Sequence, residues 1–247
     1  MAEAAFWGFV GASSLIIGAE VAFAFRLTRF LVGLIMAFGV GALISAVSFE
    51  LIVPAMETAG GAEVAIWLMI GSVVFFVGDR LIARIGGGGR KGADQAGNED
   101  GDEGGSGLGI VLGTVLDGIP ESAVLGMSLV GGAGVSIALL GGIWVSNFPE
   151  SLGSTVNLVK AGMAKSKIRL MWLAIAVASA VSAAVGFWVV SNVSGATGAA
   201  VEAFAAGALL TMIADEMAPE AFSRSAVYAG LATTAGFVLA LFLTTLE

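Results

Sequence analysis

Two hexapeptides of nearly the same sequence, Asp117-Gly-Ile-Pro-Glu-Ser122 and Ser146-Asn-Phe-Pro-Glu-Ser151, each lie inside a long apolar run. Both set a proline directly before a glutamate. A proline inside a helix removes one backbone hydrogen bond and frees a carbonyl about one turn earlier. In hydrocarbon that carbonyl must be satisfied by neighbouring helices, ions or cavity water. An ionisable group at that depth is costly and marks a functional site by default. Asp117 and Glu121 are four residues apart and share a helix face; Ser146, Asn147 and Glu150 converge in the same way on the next helix. Two facing helices with oxygen-rich stripes make a cation site.

The rest of the chain supplies the setting. Its 247 residues are 57% hydrophobic and 12% charged, too little charge for a water-facing surface. The expectation is an all-α polytopic membrane protein, one transmembrane domain over 1–247. Apolar stretches of bilayer-crossing length (roughly 20 residues each) fall at 5–25, 31–54, 64–86, 108–130, 134–158, 170–191, 198–220 and 226–246. Eight spans put both termini on one side. The N-terminal Met-Ala-Glu-Ala-Ala-Phe lacks the basic segment of a cleaved signal peptide, so the first span is expected to be permanent. The absence of cysteine rules out disulfides and thiolate metal sites, and the absence of histidine removes the commonest transition-metal ligand.

Basic residues set the orientation. Arg26 and Arg29 follow span one, and Arg80, Arg84, Arg90 and Lys91 end or follow span three. Lys160, Lys165, Lys167 and Arg169 follow span five, and Arg224 follows span seven. Those are all the lysines and arginines, and all fall on one side. The positive-inside rule makes these loops cytoplasmic and both termini external, in the plasma (inner) membrane. The one long connection, 86–107, is Gly-rich and acidic without aromatic or branched residues, which predicts a disordered, solvated linker.

All four prolines, Pro54, Pro120, Pro149 and Pro219, lie in or at the ends of predicted spans, each near a carboxylate. Glu121, Glu150 and Glu220 follow three of them; Glu50 precedes Pro54, and Asp215 and Glu216 precede Pro219, each by about one turn. The bland alternative for each is a kink beside a water-facing acid, favoured at the ends, as for Glu220 beside Arg224 and Asp79 beside Arg80. For Glu121 and Glu150 function is favoured, because neither span holds a lysine or arginine to neutralise them. Glu20 and Glu202 are extra entrance ligands or merely cavity-facing. The candidate ligands are therefore Asp117, Glu121, Ser146, Asn147, Glu150, Glu50, Asp215 and Glu216. Carboxylate, amide and hydroxyl oxygens suit Mg, Ca, Mn or Fe(II) better than Zn, although Zn accepts carboxylates. The chemistry alone gives a hard divalent cation.

The two hexapeptides resemble the paired His-Asn-x-Pro-Glu-Gly motifs in the fourth and fifth spans of the ZIP (zinc- and iron-regulated-transporter-like) family. Ser48-Phe-Glu-Leu-Ile-Val-Pro54 is similar to that family's second span and Val77-Gly78-Asp79-Arg80 to its third. Ala214-Asp-Glu-Met-Ala-Pro-Glu220 resembles its seventh. The resemblance implies an eight-helix ZIP-like bundle that carries zinc, iron, manganese or cadmium into the cytoplasm as substrate. It implies no enzymatic activity, no catalytic cofactor and no nucleic-acid partner; the partners are the metal ions and the lipid bilayer, and a homodimer is compatible with it. The sequence departs from the family at Asp117, Gly118 and Ser122 in the fourth span. Ser146 replaces histidine in the fifth, and Ser179 falls in the sixth where many relatives carry a glutamate. One oxygen-rich site around Glu121, Glu150, Asp117 and Asn147 fits these departures better than a binuclear one. The main alternative is a ZIP-like protein that has lost metal transport or carries another cation or protons. An intramembrane aspartyl protease using Asp79 or Asp117 would need Gly-x-Gly-Asp, and Gly78-Asp79 is preceded by Phe76-Val77. No phosphate-binding loop of the Gly-x-x-x-x-Gly-Lys-Ser/Thr kind is present, so ion gradients would supply the energy.

Overall fold

The computed structural model describes residues 1–85, 107–130, 134–193 and 195–246, with the side chains of these except 82–85 and 107–117. The predicted linker therefore lies outside the described residues. Among the described residues the chain is all-helical, 91% helix with no strand. The helices are α1 (Ala2–Ala24), α2 (Arg29–Ala46), α3 (Val53–Ala59), α4 (Gly61–Ile85), α5 (Gly107–Ser128), α6 (Ile137–Lys160), α7 (Lys165–Ser191), α8 (Gly195–Met212), α9 (Ala218–Ser225) and α10 (Ala229–Thr244). A π-helical turn, Val47–Ile52, joins α2 to α3, and another, Ile213–Met217, joins α8 to α9. Seven helical runs result, the last covering 195–244.

Five runs are long and apolar enough to cross a membrane: Ala2–Ala24, Arg29–Ala59, Gly61–Leu81, Lys165–Ser191 and Gly195–Thr244. The molecule thus has the helices of a multi-pass membrane protein. Its outer faces agree. On α7, Leu170, Leu173, Val177, Val181, Val185 and Trp188 form one exposed stripe, the opposite of what water would tolerate. α6 is not among the five, because Ser146, Asn147, Glu150, Ser151 and Ser154 dilute its hydropathy on the face turned inward.

Local chemistry sets the ends. Thr28 caps α2, accepting from Leu31 N at 3.2 Å, and Ser136 caps α6, accepting from Leu139 N at 3.1 Å. Gly60, at φ 84°, turns the chain between α3 and α4, a conformation that side chains resist. Ala226, at φ 25°, breaks the last run through a short 3-10 segment, Ala226–Tyr228. The second predicted span was to stop at Pro54, yet the helix runs through it to Ala59. Both π turns end just before a proline at the start of the next helix. The widened turn displaces the carbonyls that the proline ring would otherwise strike.

Three helix pairs cross at reciprocal glycines. A Cβ added to Gly41 would overlap the Thr233 carbonyl, and one on Gly236 the Phe38 carbonyl. Gly71 and Gly207 stand in the same relation to Phe204 and Leu68, and Gly126 and Gly186 to Ala183 and Ala123. Small residues at these points let membrane helices approach to backbone contact. Along each pair the contacts advance in the same sense: Gly41 meets Thr233 and Phe237, while Glu50 meets Thr244. α2 therefore runs parallel to α10, and by the same test α5 runs parallel to α7, with Ile119 bonded to Ser182 and Ala123 at Gly186.

A repeat underlies this arrangement. Phe38-Gly-Val-Gly-Ala-Leu-Ile-Ser-Ala-Val-Ser-Phe-Glu50 aligns without gaps with Phe204-Ala-Ala-Gly-Ala-Leu-Leu-Thr-Met-Ile-Ala-Asp-Glu216. The π turns begin at the same aligned position, Val47 and Ile213, and both residues are buried. The copies run oppositely: α2 begins where Gly33 packs on Arg224, and α9 ends there. That end of the bundle also gathers the end of α1 and the start of α7, where Lys165 and Arg169 lie over the Phe23 ring at 5.0 and 5.2 Å. Between the copies a shared core of Leu43, Leu51, Leu125, Leu139, Ile143 and Leu209 ties α2, α5, α6 and α8 together.

Candidate cation site

The two Pro-Glu-Ser motifs meet where α5 touches α6. Pro120 and Pro149 each sit inside a continuous α-helix, without the π turn that accompanies Pro54 and Pro219. Glu121 is only 2% exposed, Ser146 2% and Asn147 3%. The Ser146 Oγ lies 3.4 Å from Glu121 Oε1 and donates to the Ile143 carbonyl at 2.9 Å. A separation of 3.4 Å is long for a hydroxyl hydrogen bond. A carboxylate and a hydroxyl oxygen are donors of the kind a hard divalent cation takes. Ser122 and Ser151, the closing residues of the motifs, are also buried.

The remaining predicted residues divide. Glu150 is half-buried on the same face of α6 as Ser146, one turn further on. Asp117 belongs to α5, but its side chain lies outside the described residues. Ser179 is buried at 1%, and its hydroxyl would be 3.6 Å from a Cβ on Gly118, so the sixth predicted span does face the α5 motif there. Glu50 belongs to the first π turn, is half-buried, and accepts from Thr244 Oγ1 at 2.7 Å. Glu216 is half-buried and Asp215 exposed, both in the second π turn. Among the described residues no three acidic side chains converge as a metal-holding group. The structure brings together Glu121 and Ser146; it does not gather all eight.

No protein-family model matches the chain, and no curated protein matches it either. The site must therefore be argued from its own atoms.

Two acids have settled partners. Glu20 receives two bonds from Arg169, at 2.5 and 2.8 Å, joining α1 to α7 in an exposed bidentate pair, so the structure gives it an ion-pairing role. Glu220 pairs with Arg224 one turn along α9. Glu202 is half-buried in α8. Ser45, which no sequence pattern singles out, is fully buried on α2, and its hydroxyl has no hydrogen-bond partner among the described residues. The π turns were equally invisible in advance: only a proline with an acid before it hinted at them, and that pattern also fits a plain kink.

Proposed function

We propose that the protein is a secondary carrier of divalent metal cations, which bind between α5 and α6 and pass into the cytoplasm. The observation that carries this reading is Glu121, buried at 2% exposure beside the Ser146 hydroxyl where two membrane-depth Pro-Glu-Ser motifs meet. No structural requirement explains a carboxyl at such a place as economically as cargo does. Asp117, Asn147 and Glu150 complete the proposed oxygen shell, with Glu50, Asp215 and Glu216 towards the two ends. The resemblance to the ZIP family points to the same chemistry, with zinc, iron, manganese or cadmium as substrate and an eight-helix bundle in the plasma membrane.

The crossing geometry supports eight spans. α2 and α10 run parallel, as do α4 and α8, where Val64 packs with Ala199 and Ala203 and Ser72 donates to the Gly207 carbonyl at 3.1 Å, and Gly60 reverses the chain between α3 and α4. The run 195–244 must then reverse too, and Ala226 is where its helix breaks. Counting α8–α9 and α10 separately gives eight, with both termini outside by the placement of the basic loops.

A second reading has one observation in its favour: no three acids converge among the described residues, which suits a ZIP-like protein that moves protons or another cation, or nothing. Uptake by proteoliposomes decides between them. Mn, Fe(II), Zn and Cd should enter with the native protein and fail to enter with Glu121→Gln, while circular dichroism stays unchanged. Equal uptake by native and variant protein refutes the assignment of Glu121.

A further inference from the structure

Arg224 is placed where a solvated surface residue would not be. Its side chain is 8% exposed, against 32% for its partner Glu220. The Cβ rests on Gly33 of α2, where an added methyl would come within 2.6 Å of it. The guanidinium lies against α6 at Gly153: a Cβ there would be 3.6 Å from both terminal nitrogens. The Nε is buried and has no hydrogen-bond partner among the described residues. A five-donor fork is thus buried at the end of α9 with its Nε unused among the described residues, which is costly unless the position serves a purpose.

The position of Gly153 supplies the purpose. Ser146, Glu150 and Gly153 follow one another on a single face of α6, and Gly153 is one turn beyond Glu150 towards the end that holds the basic residues. The guanidinium therefore stands between the oxygen-rich site and that end. We propose that Arg224 is a tethered cation barring the release side of the site. Glu220 holds it in place, and the missing side chain at Gly33 makes room for it. A metal ion leaving along this face must first displace a like charge, so the site stays closed to cations from the basic end until the arginine swings away. The inference rests on the cation-carrier reading for its purpose, though its test does not need transport.

The chain has no cysteine, so Ser146→Cys makes a single reporter above Arg224. Modification is followed with impermeant cationic and anionic methanethiosulfonates applied, without metal, to the face bearing the basic loops. Arg224→Gln should raise the cationic rate at least tenfold and lower the anionic one; Arg224→Lys should keep the native pattern. An unchanged cationic-to-anionic ratio in Arg224→Gln overturns the proposal. Should Arg224→Gln not fold, Glu220→Gln keeps the guanidinium while removing its counter-charge. The cationic rate should then fall at least threefold, and an unchanged rate is equally fatal. Arg224-dependent selectivity in a native protein that takes up no metal would keep the barrier and refute the carrier.

Discussion

The reciprocal glycine crossings make a prediction that the atoms quantify. In Gly41→Ala the new methyl overlaps the Thr233 carbonyl, so α2 and α10 must part by about 1 Å, since packed interiors have no free volume to absorb it. A crossing held by about 30 heavy-atom pairs at about 0.15 kcal/mol each loses a quarter to a half of its attraction over such a gap, about 1–2 kcal/mol. The close Cα–H···O contacts of the crossing add about 0.5–1 kcal/mol apiece when lost. Alanine returns about 0.5–1 kcal/mol through its better helix propensity, leaving a net loss of about 1–3 kcal/mol. Gly141, inside α6, and Gly78, inside α4, have nothing within 4 Å of an added Cβ, so Gly141→Ala and Gly78→Ala should be neutral or more stable by up to about 1 kcal/mol. Reversible unfolding in mixed micelles measures all of them. Because Gly236→Ala opens the same crossing, the double variant with Gly41→Ala should cost clearly less than the sum of the singles. Equal stability of Gly41→Ala and Gly141→Ala would refute the backbone-contact account, and with it the parallel pairing that supports eight spans.

Other outcomes follow from the same structure. A cysteine placed in 92–106 should resist impermeant thiol reagents outside intact cells, while one at Gly61 or Gly195 should label; the reverse pattern inverts the proposed orientation. Asp117→His should move uptake preference towards Zn, because imidazole nitrogen suits that ion better, and an unchanged selectivity series removes Asp117 from the ligand shell. Trp172→Phe should cost about 1–2 kcal/mol in the unfolding assay, since it leaves the buried Thr155 hydroxyl without the indole N–H that meets it at 2.8 Å; a change below about 0.5 kcal/mol would make that bond incidental. Arg169→Ala should leave the unfolding midpoint unchanged, because its pair with Glu20 is solvent-exposed and screened; a clear loss of stability would make the pair structural.

Helix existence was legible because long apolar runs between polar breaks leave the backbone no other way to satisfy its hydrogen bonds in a bilayer. The ends came within a few residues for most spans, where a cap such as Thr28 or Ser136 or a glycine such as Gly60 marks them. Pro54 misled, since a proline read locally stops a helix, and only the π turn before it lets the helix continue. The burial of Glu121 beside Ser146 was foreseeable from the two motifs, because four-residue spacing fixes a face. The roles of Glu20 and Arg224 were not. Glu20 finds Arg169 across 149 residues of chain, and Arg224 finds room at Gly33 and rests against α6 at Gly153, which spacing along one helix cannot reveal.

The repeat explains more than the fold. Its two copies run in opposite directions, so the aligned Glu50 and Glu216 point the same local chemistry at opposite ends of the bundle. Gly236 and Gly71 occupy equivalent crossings, and eight residues further along their helices stand Thr244 and Asp79. At one end the position holds a neutral hydroxyl, which donates to Glu50 at 2.7 Å. At the other the equivalent position holds a second acid, Asp79. A two-fold repeat by itself would give both ends the same local chemistry. The exchange of threonine for aspartate breaks that equality, and Arg224, which sits at the same end as Glu216, breaks it further. The chemical difference between the ends lies in the few residues where the copies differ, while the glycines and π turns they share supply the frame.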